Sequence, residues 1–210
     1  MLEIEYNGAN SVVLSTKLKK LIIDANVEMV GLKNPNKLDI QLATEQRFLL
    51  PESDSFVTLE GPGEYEVGPY SILGEAAQRH IDTEVDAKKS TIYHIEVFGI
   101  RIGVIGNVSP KLTDEQFEAL GVIDVLIIPI GGGGYTIDPT DATKLIRQIE
   151  PKAVIPVHYR DTGINYEVPQ EALDVFVKEL NAPVESLDKL KLKSTAALPA
   201  MLTVYQLARS

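Results

Sequence analysis

The pattern that most constrains the fold is a pair of short apolar runs separated by a well-marked helix. The first run spans 124–130 and the second is Ala153–Val157. Between them, Asp138 suits a helix cap and Pro139 suits the first helical turn. The apolar positions that follow recur at i, i+3, i+4 and i+7, namely Ala142, Leu145, Ile146 and Ile149. Strands that are apolar on both faces belong to covered sheets, so the pattern predicts a strand–helix–strand unit with helices packed outside.

Shorter strand patterns separated by turn residues fill the rest of the chain. They are Leu2–Tyr6, Ser11–Leu14, Lys20–Ile23, Leu38–Ala43, Phe56–Leu59, Glu64–Val67, Tyr70–Leu73, Thr91–Phe98, Arg101–Ile105 and Leu202–Leu207. A capping box at Thr113 and Gln116 predicts a short helix, and a further helix is expected from near Pro169. A polar connection at 82–90 divides the chain, and there is no repeat. We therefore expect one domain, 1–210, of two related halves at 1–85 and 90–210.

The composition excludes several classes of protein. Thirty acidic residues against twenty basic ones give a net charge of -10, which disfavours nucleic acid as a partner. The longest apolar run, Val125–Ile130, is too short to cross a bilayer, and Met1–Asn10 lacks the pattern of a leader. The absence of cysteine excludes a disulfide or a thiol nucleophile. These features predict a soluble, cytoplasmic protein without a nucleic-acid or membrane partner.

The chain has only three histidines. His158 directly follows the apolar run Ala153–Val157, and ligands of α/β proteins gather beyond the carboxyl ends of strands. It is therefore a candidate site residue, although a loop histidine bonded to a backbone carbonyl is the alternative. His80 ends the first half, and taken alone it is typical of a surface residue. His94 lies within a predicted strand, where alternation makes it a residue of the strand face.

Two further motifs invite a functional interpretation but favour a structural one. The four glycines at 131–134 could present backbone donors to an anion at a helix start. However, no phosphate-binding motif is present, and Asp138 and Asp141 already place negative charge there, so a flexible connection lining a cleft is favoured. Glu64 and Glu66 could act as a catalytic carboxylate pair, but their Gly-Pro surroundings are typical of a solvated hairpin.

Several segments, taken in order, resemble metallo-β-lactamase-fold proteins of the ascorbate-6-phosphate-lactonase-like branch, a group of zinc-dependent hydrolases. They are Gly61–Gly68, Thr91–Val97, Leu112–Gln116, Asp124–Gly132 with Tyr135–Asp138, and Val154–Tyr159. The resemblance covers nearly the whole chain. It implies an α/β fold, an αββα sandwich of two mixed sheets with helices on the outer faces. It also implies that each half contributes one sheet and that the active site lies at the sheet edges between them.

The resemblance also implies a metal site, but most of the expected ligands are replaced. Such proteins typically carry Thr-His-x-His-x-Asp-His, and the matching segment here is Thr44-Glu45-Gln46-Arg47-Phe48-Leu49-Leu50. Glu45 and Arg47 stand where two of the histidines would be, and Asn107 stands where a bridging aspartate is expected. His80 and His158 match the two remaining histidine ligands.

Catalytic zinc usually has three protein ligands and a water, and two imidazoles with a neutral amide fall short of that set. The sequence therefore predicts a degenerate metal site without a cofactor, in a non-catalytic binding or structural module. A small anionic ligand and a second copy of the chain are its candidate partners. The alternative is a metal-dependent hydrolase of a small phosphorylated or lactone-like substrate, with zinc or another divalent metal on Glu45, His80 and His158. Further cleft candidates are Arg47, Asn107, Gly132 and Tyr159.

Overall fold

The computed structural model describes residues 1–51, 56–83 and 89–210. These residues form fourteen strands: β1 (Leu2–Gly8), β2 (Ser11–Ser15), β3 (Lys20–Ile23), β4 (Ile40–Ala43), β5 (Val57–Glu60), β6 (Gly63–Val67), β7 (Tyr70–Ala77), β8 (Ser90–Val97), β9 (Ile100–Val104), β10 (Val125–Pro129), β11 (Ala153–Val157), β12 (Val184–Leu187), β13 (Leu190–Leu192) and β14 (Thr203–Leu207). Three α-helices accompany them: α1 (Asp114–Leu120), α2 (Pro139–Ile149) and α3 (Leu173–Leu180).

The strands form two mixed sheets. The first has the order β13-β1-β2-β3-β4-β5, and the second has the order β12-β14-β11-β10-β9-β8-β7-β6. In the first sheet β3, β4 and β5 are parallel, and in the second β9, β10, β11, β14 and β12 are parallel. The remaining pairs in both sheets are antiparallel. The predicted α/β class with two mixed sheets is confirmed.

The strand–helix–strand unit forms as its sequence predicts. β10 and β11 are buried along their whole length and pair in parallel, with Val125 opposite Ala153. α2 connects them, and the Asp138 carboxylate caps it by accepting from the Asp141 backbone N–H at 2.8 Å. The capping box of α1 is also present. Burial on both faces explains why these two strands carry almost no polar residue.

The core has an inner and an outer layer. Aliphatic and tyrosine side chains from both sheets fill the space between them, for example Ile4, Leu14, Tyr93 and Ile155. A second layer lies beneath the helices on the other face of the second sheet. α1 packs on β7 and β8, while α2 packs on β10 and α3. In the described part of the chain, a small loop-side cluster around Val13 and Ile22 covers the outer face of the first sheet.

The sheets do not follow the two halves of the chain. β6 and β7 lie before residue 85, yet they extend the second sheet by pairing onto β8. β13 lies in the second half, yet it joins the first sheet beside β1. The expectation that each half supplies one sheet is therefore wrong. Sequential strands pair readily, which explains how β7 and β8 join across the connection at 82–90, of which 84–88 lies outside the described residues.

Other departures from the prediction occur after β11. β12 and β13 are not predicted, because one is mostly exposed and the other has only three residues. α3 begins at Leu173 rather than near Pro169. The residues before it are engaged elsewhere: the Glu171 N–H donates to the Gly131 carbonyl at 2.8 Å, and the Glu171 carbonyl accepts from the Arg160 N–H at 2.8 Å. These bonds hold 169–171 against the glycine-rich connection instead of in a helix.

Candidate functional site

The carboxyl ends of strands from both sheets meet at one edge of the molecule. β3 is followed by Asp24, β4 by Thr44 and Glu45, β9 by the segment that contains Asn107, and β11 by His158. All of these residues are buried despite their polarity. Polar groups at strand ends in α/β folds commonly form ligand sites. We refer to this edge as the cleft.

Backbone and side-chain contacts hold His158 in place directly after β11. Its backbone N–H donates to the Ala9 carbonyl at 2.8 Å, in a left-handed conformation with φ 51°. Its Nδ1 lies 3.2 Å from Oε1 of Gln170, whose Nε2 donates to the Val168 carbonyl at 3.0 Å. Since Gln170 presents its oxygen, Nδ1 carries the proton and the lone pair is on Nε2. Burial lowers the pKa of His158 to about 4, so the imidazole is neutral at pH 7.

Two tyrosines flank the His158 ring. Tyr135 stacks on it with ring centroids 5.5 Å apart, and Tyr166 contacts it at 4.7 Å with a tilt of 45°. Gly131 allows this arrangement, because a Cβ there would overlap the His158 carbonyl and the Gln170 amide. Gly132 has φ 66° and donates its N–H to the Ile137 carbonyl at 3.0 Å. The backbone of Gly132 is thus engaged in its own turn, consistent with the structural interpretation of the glycine run.

Glu45 is held by two arginines. Its side chain is only 2% exposed, and Arg47 approaches it twice, with Nε 2.8 Å from Oε2 and Nη2 donating to Oε1 at 3.0 Å. Arg79 places Nη1 3.5 Å from Oε2 and also binds Asp82 at 2.6 Å. Burial raises the pKa of Glu45, while both guanidinium groups oppose that effect. The formal charges of the two arginines are balanced by the two carboxylates.

Arg47 connects Glu45 to the aromatic side of the cleft. Its guanidinium carbon lies 4.8 Å from the ring centroid of Phe48 and 5.1 Å from that of Tyr135. Since Tyr135 also stacks on His158, the structure brings Glu45, Arg47 and His158 into one continuous set of contacts.

His80 and Asn107 lie together at a neighbouring position. The His80 N–H donates to the Asn107 carbonyl at 2.8 Å, and Oδ1 of Asn107 accepts from the Thr136 hydroxyl at 2.8 Å. The buried Nδ2 of Asn107 and Nδ1 of His80 have no hydrogen-bond partner among the described residues. Asn107 is a neutral amide, so it lacks the negative charge that the bridging aspartate expected at this position would bring.

Sequence reasoning missed two buried polar residues at this edge. Asp24 is 3% exposed and accepts from the Thr44 N–H at 2.7 Å and the Thr44 hydroxyl at 2.8 Å. Burial raises its pKa to about 7. Asn10, in the turn after β1, is 5% exposed. The sequence position of Asp24 could have identified it, because Asp24 directly follows a strand, as His158 does. The turn sequence around Asn10 contains no feature that predicts its burial.

The other candidates lie elsewhere. The Tyr159 ring stacks on Tyr6 at 6.0 Å and packs against the core rather than lining the cavity beside His158. His94 lies in β8 as predicted, with Nδ1 2.6 Å from the Leu120 carbonyl. Glu64 and Glu66 are exposed on β6.

The described residues were also examined for a metal-binding group of side chains and for a helix that could span a membrane. Among residues 1–51, 56–83 and 89–210, no three or more His, Asp or Glu side chains are grouped so that they could hold a metal ion. Within those same ranges, no helix is both long and apolar enough to span a bilayer.

Known proteins resemble the chain in sequence and in fold. It is 30% identical over 129 residues to a UPF0173 metal-dependent hydrolase of Carboxydothermus hydrogenoformans, covering 58% of this chain and 47% of the relative. A UPF0173 metal-dependent hydrolase of Pelotomaculum thermopropionicum is 28% identical over 132 residues, covering 63% and 48%. The chain thus spans about half the length of these curated relatives.

Solved structures match the fold over nearly its full length. A protein of Thermotoga maritima, assigned as a Zn-dependent hydrolase of the metallo-β-lactamase superfamily, superposes with a TM-score of 0.75 at 23% identity, covering 99% of this chain and 100% of its own. Igni18, a metallo hydrolase from Ignicoccus hospitalis, gives 0.63 at 16% identity, covering 98% and 95%. At these identities the likeness shows the fold.

A family model of the beta-lactamase superfamily domain matches residues 3–158, from β1 to His158, the residue after β11. This range includes strands of both sheets and every strand end that forms the cleft. The chain therefore belongs to the beta-lactamase superfamily and has the metallo-β-lactamase fold.

Proposed function

We propose that the cleft is a metal-independent ligand-binding site and that this chain acts as a non-catalytic binding module of its family. The observation that carries the proposal is the double ion pair of Glu45 with Arg47 and Arg79. A carboxylate in this position could serve a metal ion only if both guanidinium groups moved away from it. Two fixed positive charges beside a cation repel it strongly in a partly dry cleft.

The remaining donors do not complete a metal site. His158 offers Nε2 and His80 offers an Nδ1 without a partner among the described residues, but Asn107 adds only a neutral amide, whose oxygen accepts from the Thr136 hydroxyl. A catalytic zinc usually has three protein ligands and an open position for water. The residues present therefore do not fit the metal that the family implies, and we derive no reaction step through one.

The alternative is a metal-dependent hydrolase of a small phosphorylated or lactone-like substrate. Two observations favour it: the relatives are named metal-dependent hydrolases, and Nδ1 of His80 is buried without a partner among the described residues. In this alternative Glu45, His80 and His158 would hold zinc or another divalent ion after rearrangement of Arg47 and Arg79. A small anionic ligand, a homodimer and a cytoplasmic location stay predictions.

Metal content distinguishes the binding module from the metal-dependent hydrolase. The chain is purified without chelator, its zinc, iron and manganese are measured, and it is melted with and without EDTA. We expect substoichiometric metal and an unchanged melting temperature, because only a ligand bound to the folded state raises stability. Near-stoichiometric metal that protects against heat would overturn the proposal.

Two histidine variants then assign any metal that is found. His158→Ala would abolish binding under the alternative, whereas His94→Gln serves as the matched control because His94 lies on a strand face away from the cleft. Metal retained in His158→Ala would show that the alternative has the wrong ligands.

A further inference from the structure

We propose that the chain forms a two-fold homodimer in which a lysine-rich turn of each copy docks on an acidic face of the second sheet of the other copy. Both surfaces lie outside the cleft. The inference therefore goes beyond the proposed function and does not rest on it.

The turn from β2 into β3 carries an exposed leucine among lysines. It spans 16–20 and consists of Thr16, Lys17, Leu18, Lys19 and Lys20. Leu18 is 70% exposed, and the Thr16 hydroxyl fixes the turn by accepting from the N–H groups of Leu18 at 3.2 Å and Lys19 at 3.0 Å. Among the described residues, the only ion pair of these lysines joins Lys19 to Asp39 at 3.7 Å, with the two side chains 46% and 43% exposed. This segment, which we call the basic turn, holds an apolar side chain and positive charge in solvent.

The second sheet has an exposed face on the outer side of β6, β7 and β8. It presents the exposed residues Glu64, Glu66, Ser71, Leu73 and Glu96. Leu73 lies opposite Glu64, and Ser71 lies opposite both Glu66 and Glu96 on the flanking strands. Alternate residues of the same strands, such as Tyr65 and Ile72, pack in the inner core. We call this surface the acidic face.

The carboxylates of the acidic face are not neutralised within the described ranges. None of Glu64, Glu66 and Glu96 forms an ion pair there. Arg101 lies opposite Glu96, but its guanidinium makes two bonds of 2.9 Å to Asp124. The acidic face thus surrounds an exposed leucine with negative charge, as the basic turn surrounds one with positive charge. Complementary charge makes a second copy of the chain a suitable partner for both surfaces.

The two surfaces adjoin at the turn after β6. A Cβ added to Gly68 in that turn would lie 3.0 Å from Cγ of Lys19. Tyr70, the first residue of β7, donates its hydroxyl to the Lys19 carbonyl at 3.1 Å. Glu66 lies only two positions before Gly68. A two-fold axis beside this turn therefore places each basic turn against the acidic face of the other copy, and the contact is made twice.

A dimer formed through the free edge of β6 is disfavoured by the same side chains. β6 is the last strand of the second sheet. If two copies of β6 paired antiparallel about Tyr65, Glu64 of one copy would lie opposite Glu66 of the other. Like charges directly opposite each other destabilise paired strands, whereas docking of the basic turn brings opposite charges together.

An anionic membrane or a nucleic acid is a poorer partner for the basic turn. The chain has a net charge of -10, and the acidic face lies beside the turn. Both would repel a polyanion as it approached. Small, charged interfaces are typical of weak and transient complexes, so we expect a reversible dimer that forms at micromolar or higher concentration.

Sedimentation velocity over a range of protein concentrations tests the dimer. The wild type should dimerise at low salt and do so less at high salt, because salt screens exposed charges. The double variants Lys17→Glu/Lys19→Glu and Glu64→Lys/Glu66→Lys should each weaken the dimer at least about tenfold, because like charges then face each other. An equimolar mixture of the two variants should regain the wild-type dimer, since every basic turn then meets a face of opposite charge.

Matched variants control for net charge and for exposed apolar area. Glu179→Lys/Glu185→Lys makes the same change in net charge at exposed positions of α3 and β12 and should dimerise like the wild type. Leu18→Ser should weaken the dimer, whereas Met201→Ser, at a residue that is 65% exposed, should not.

Three results would each overturn the inference. They are a wild type that stays monomeric at every concentration, a dimer that survives both charge reversals, and a mixture of the reversed variants that stays monomeric. Binding of the wild type to vesicles of anionic lipid through Lys17 and Lys19, in place of dimerisation, would also overturn it. None of these results depends on metal content, which tests the proposed function separately.

Discussion

Asp24 and His158 are buried ionisable groups whose pKa values move in opposite directions. Burial is the main cause in both cases: it raises the pKa of Asp24 from 3.8 to about 7 and lowers that of His158 from 6.5 to about 4. Both groups therefore prefer to be neutral in the folded protein. Their effects on stability have opposite dependence on pH.

The signs follow from linkage between protonation and folding. The stability contributed by Asp24 is fully present below pH 3.8 and is lost as the pH rises through 7. The stability contributed by His158 is present above pH 6.5 and is lost as the pH falls through 4. The full effects are about 4 kcal/mol for Asp24 and about 3 kcal/mol for His158, at about 1.4 kcal/mol per pH unit. From about pH 4 to 6.5 the two slopes cancel.

The substitution Asp24→Asn exposes this cancellation. The oxygen of the introduced carboxamide can still accept from the Thr44 N–H, and the Thr44 hydroxyl can reorient toward the new amide. In chelator-treated protein, the free energy of unfolding in urea is measured from about pH 4 to 8. We expect Asp24→Asn to gain stability over the wild type as the pH rises, reaching up to about 4 kcal/mol above about pH 7.

His158→Gln is the complementary variant, and its stability relative to the wild type should rise as the pH falls from 6.5 toward 4. The exposed Asp174→Asn is the control, and its free energy of unfolding should differ from that of the wild type by less than about 1 kcal/mol. A flat difference for Asp24→Asn would refute the reasoning, because it would mean that the Asp24 carboxylate is solvated in the folded state.

Two further substitutions test the framework of the site. Arg101→Met should reduce the free energy of unfolding by about 2–3 kcal/mol in urea titration, because it removes the two guanidinium bonds of 2.9 Å to the buried Asp124 carboxylate. Lys144→Met, which breaks an exposed ion pair, is the control and should reduce it by less than about 0.5 kcal/mol. Gly131→Ala should destabilise by about 3 kcal/mol because its Cβ overlaps the backbone after β11, whereas Gly99→Ala, with φ 74° but open space, should cost about 1 kcal/mol. Equal losses within either pair would contradict the assigned contacts.

The fold could be predicted from the sequence wherever burial leaves a periodic pattern. β10, α2 and β11 were predicted almost to the residue, because strands covered on both faces must be apolar and α2 carries its own cap. β13 escaped prediction because its three residues are defined by pairing with β1 rather than by any local pattern. The sheet to which β6 and β7 belong is likewise set by tertiary pairing and not by their local sequence.

The candidate site was less accessible from the sequence. The positions of Glu45, Arg47 and His158 in one cleft follow from the resemblance, but the pairing of Arg79 with Glu45 joins segments that are 34 positions apart. Asn10 gave no signal, since an asparagine in a turn is usually solvated. Its burial appears only when β1 and the connection after β11 are placed together.

The pairing of β1 with β13 has a consequence for synthesis of the chain. Leu2 lies opposite Leu192, and the Ser210 N–H donates to the Tyr6 carbonyl at 3.0 Å. While the ribosome is still making the middle of the chain, one edge of β1 has no partner strand. Unpaired edges promote association between chains, and contacts of long sequence separation form slowly. The newly made protein is therefore most prone to aggregate until β13 emerges and covers that edge of β1.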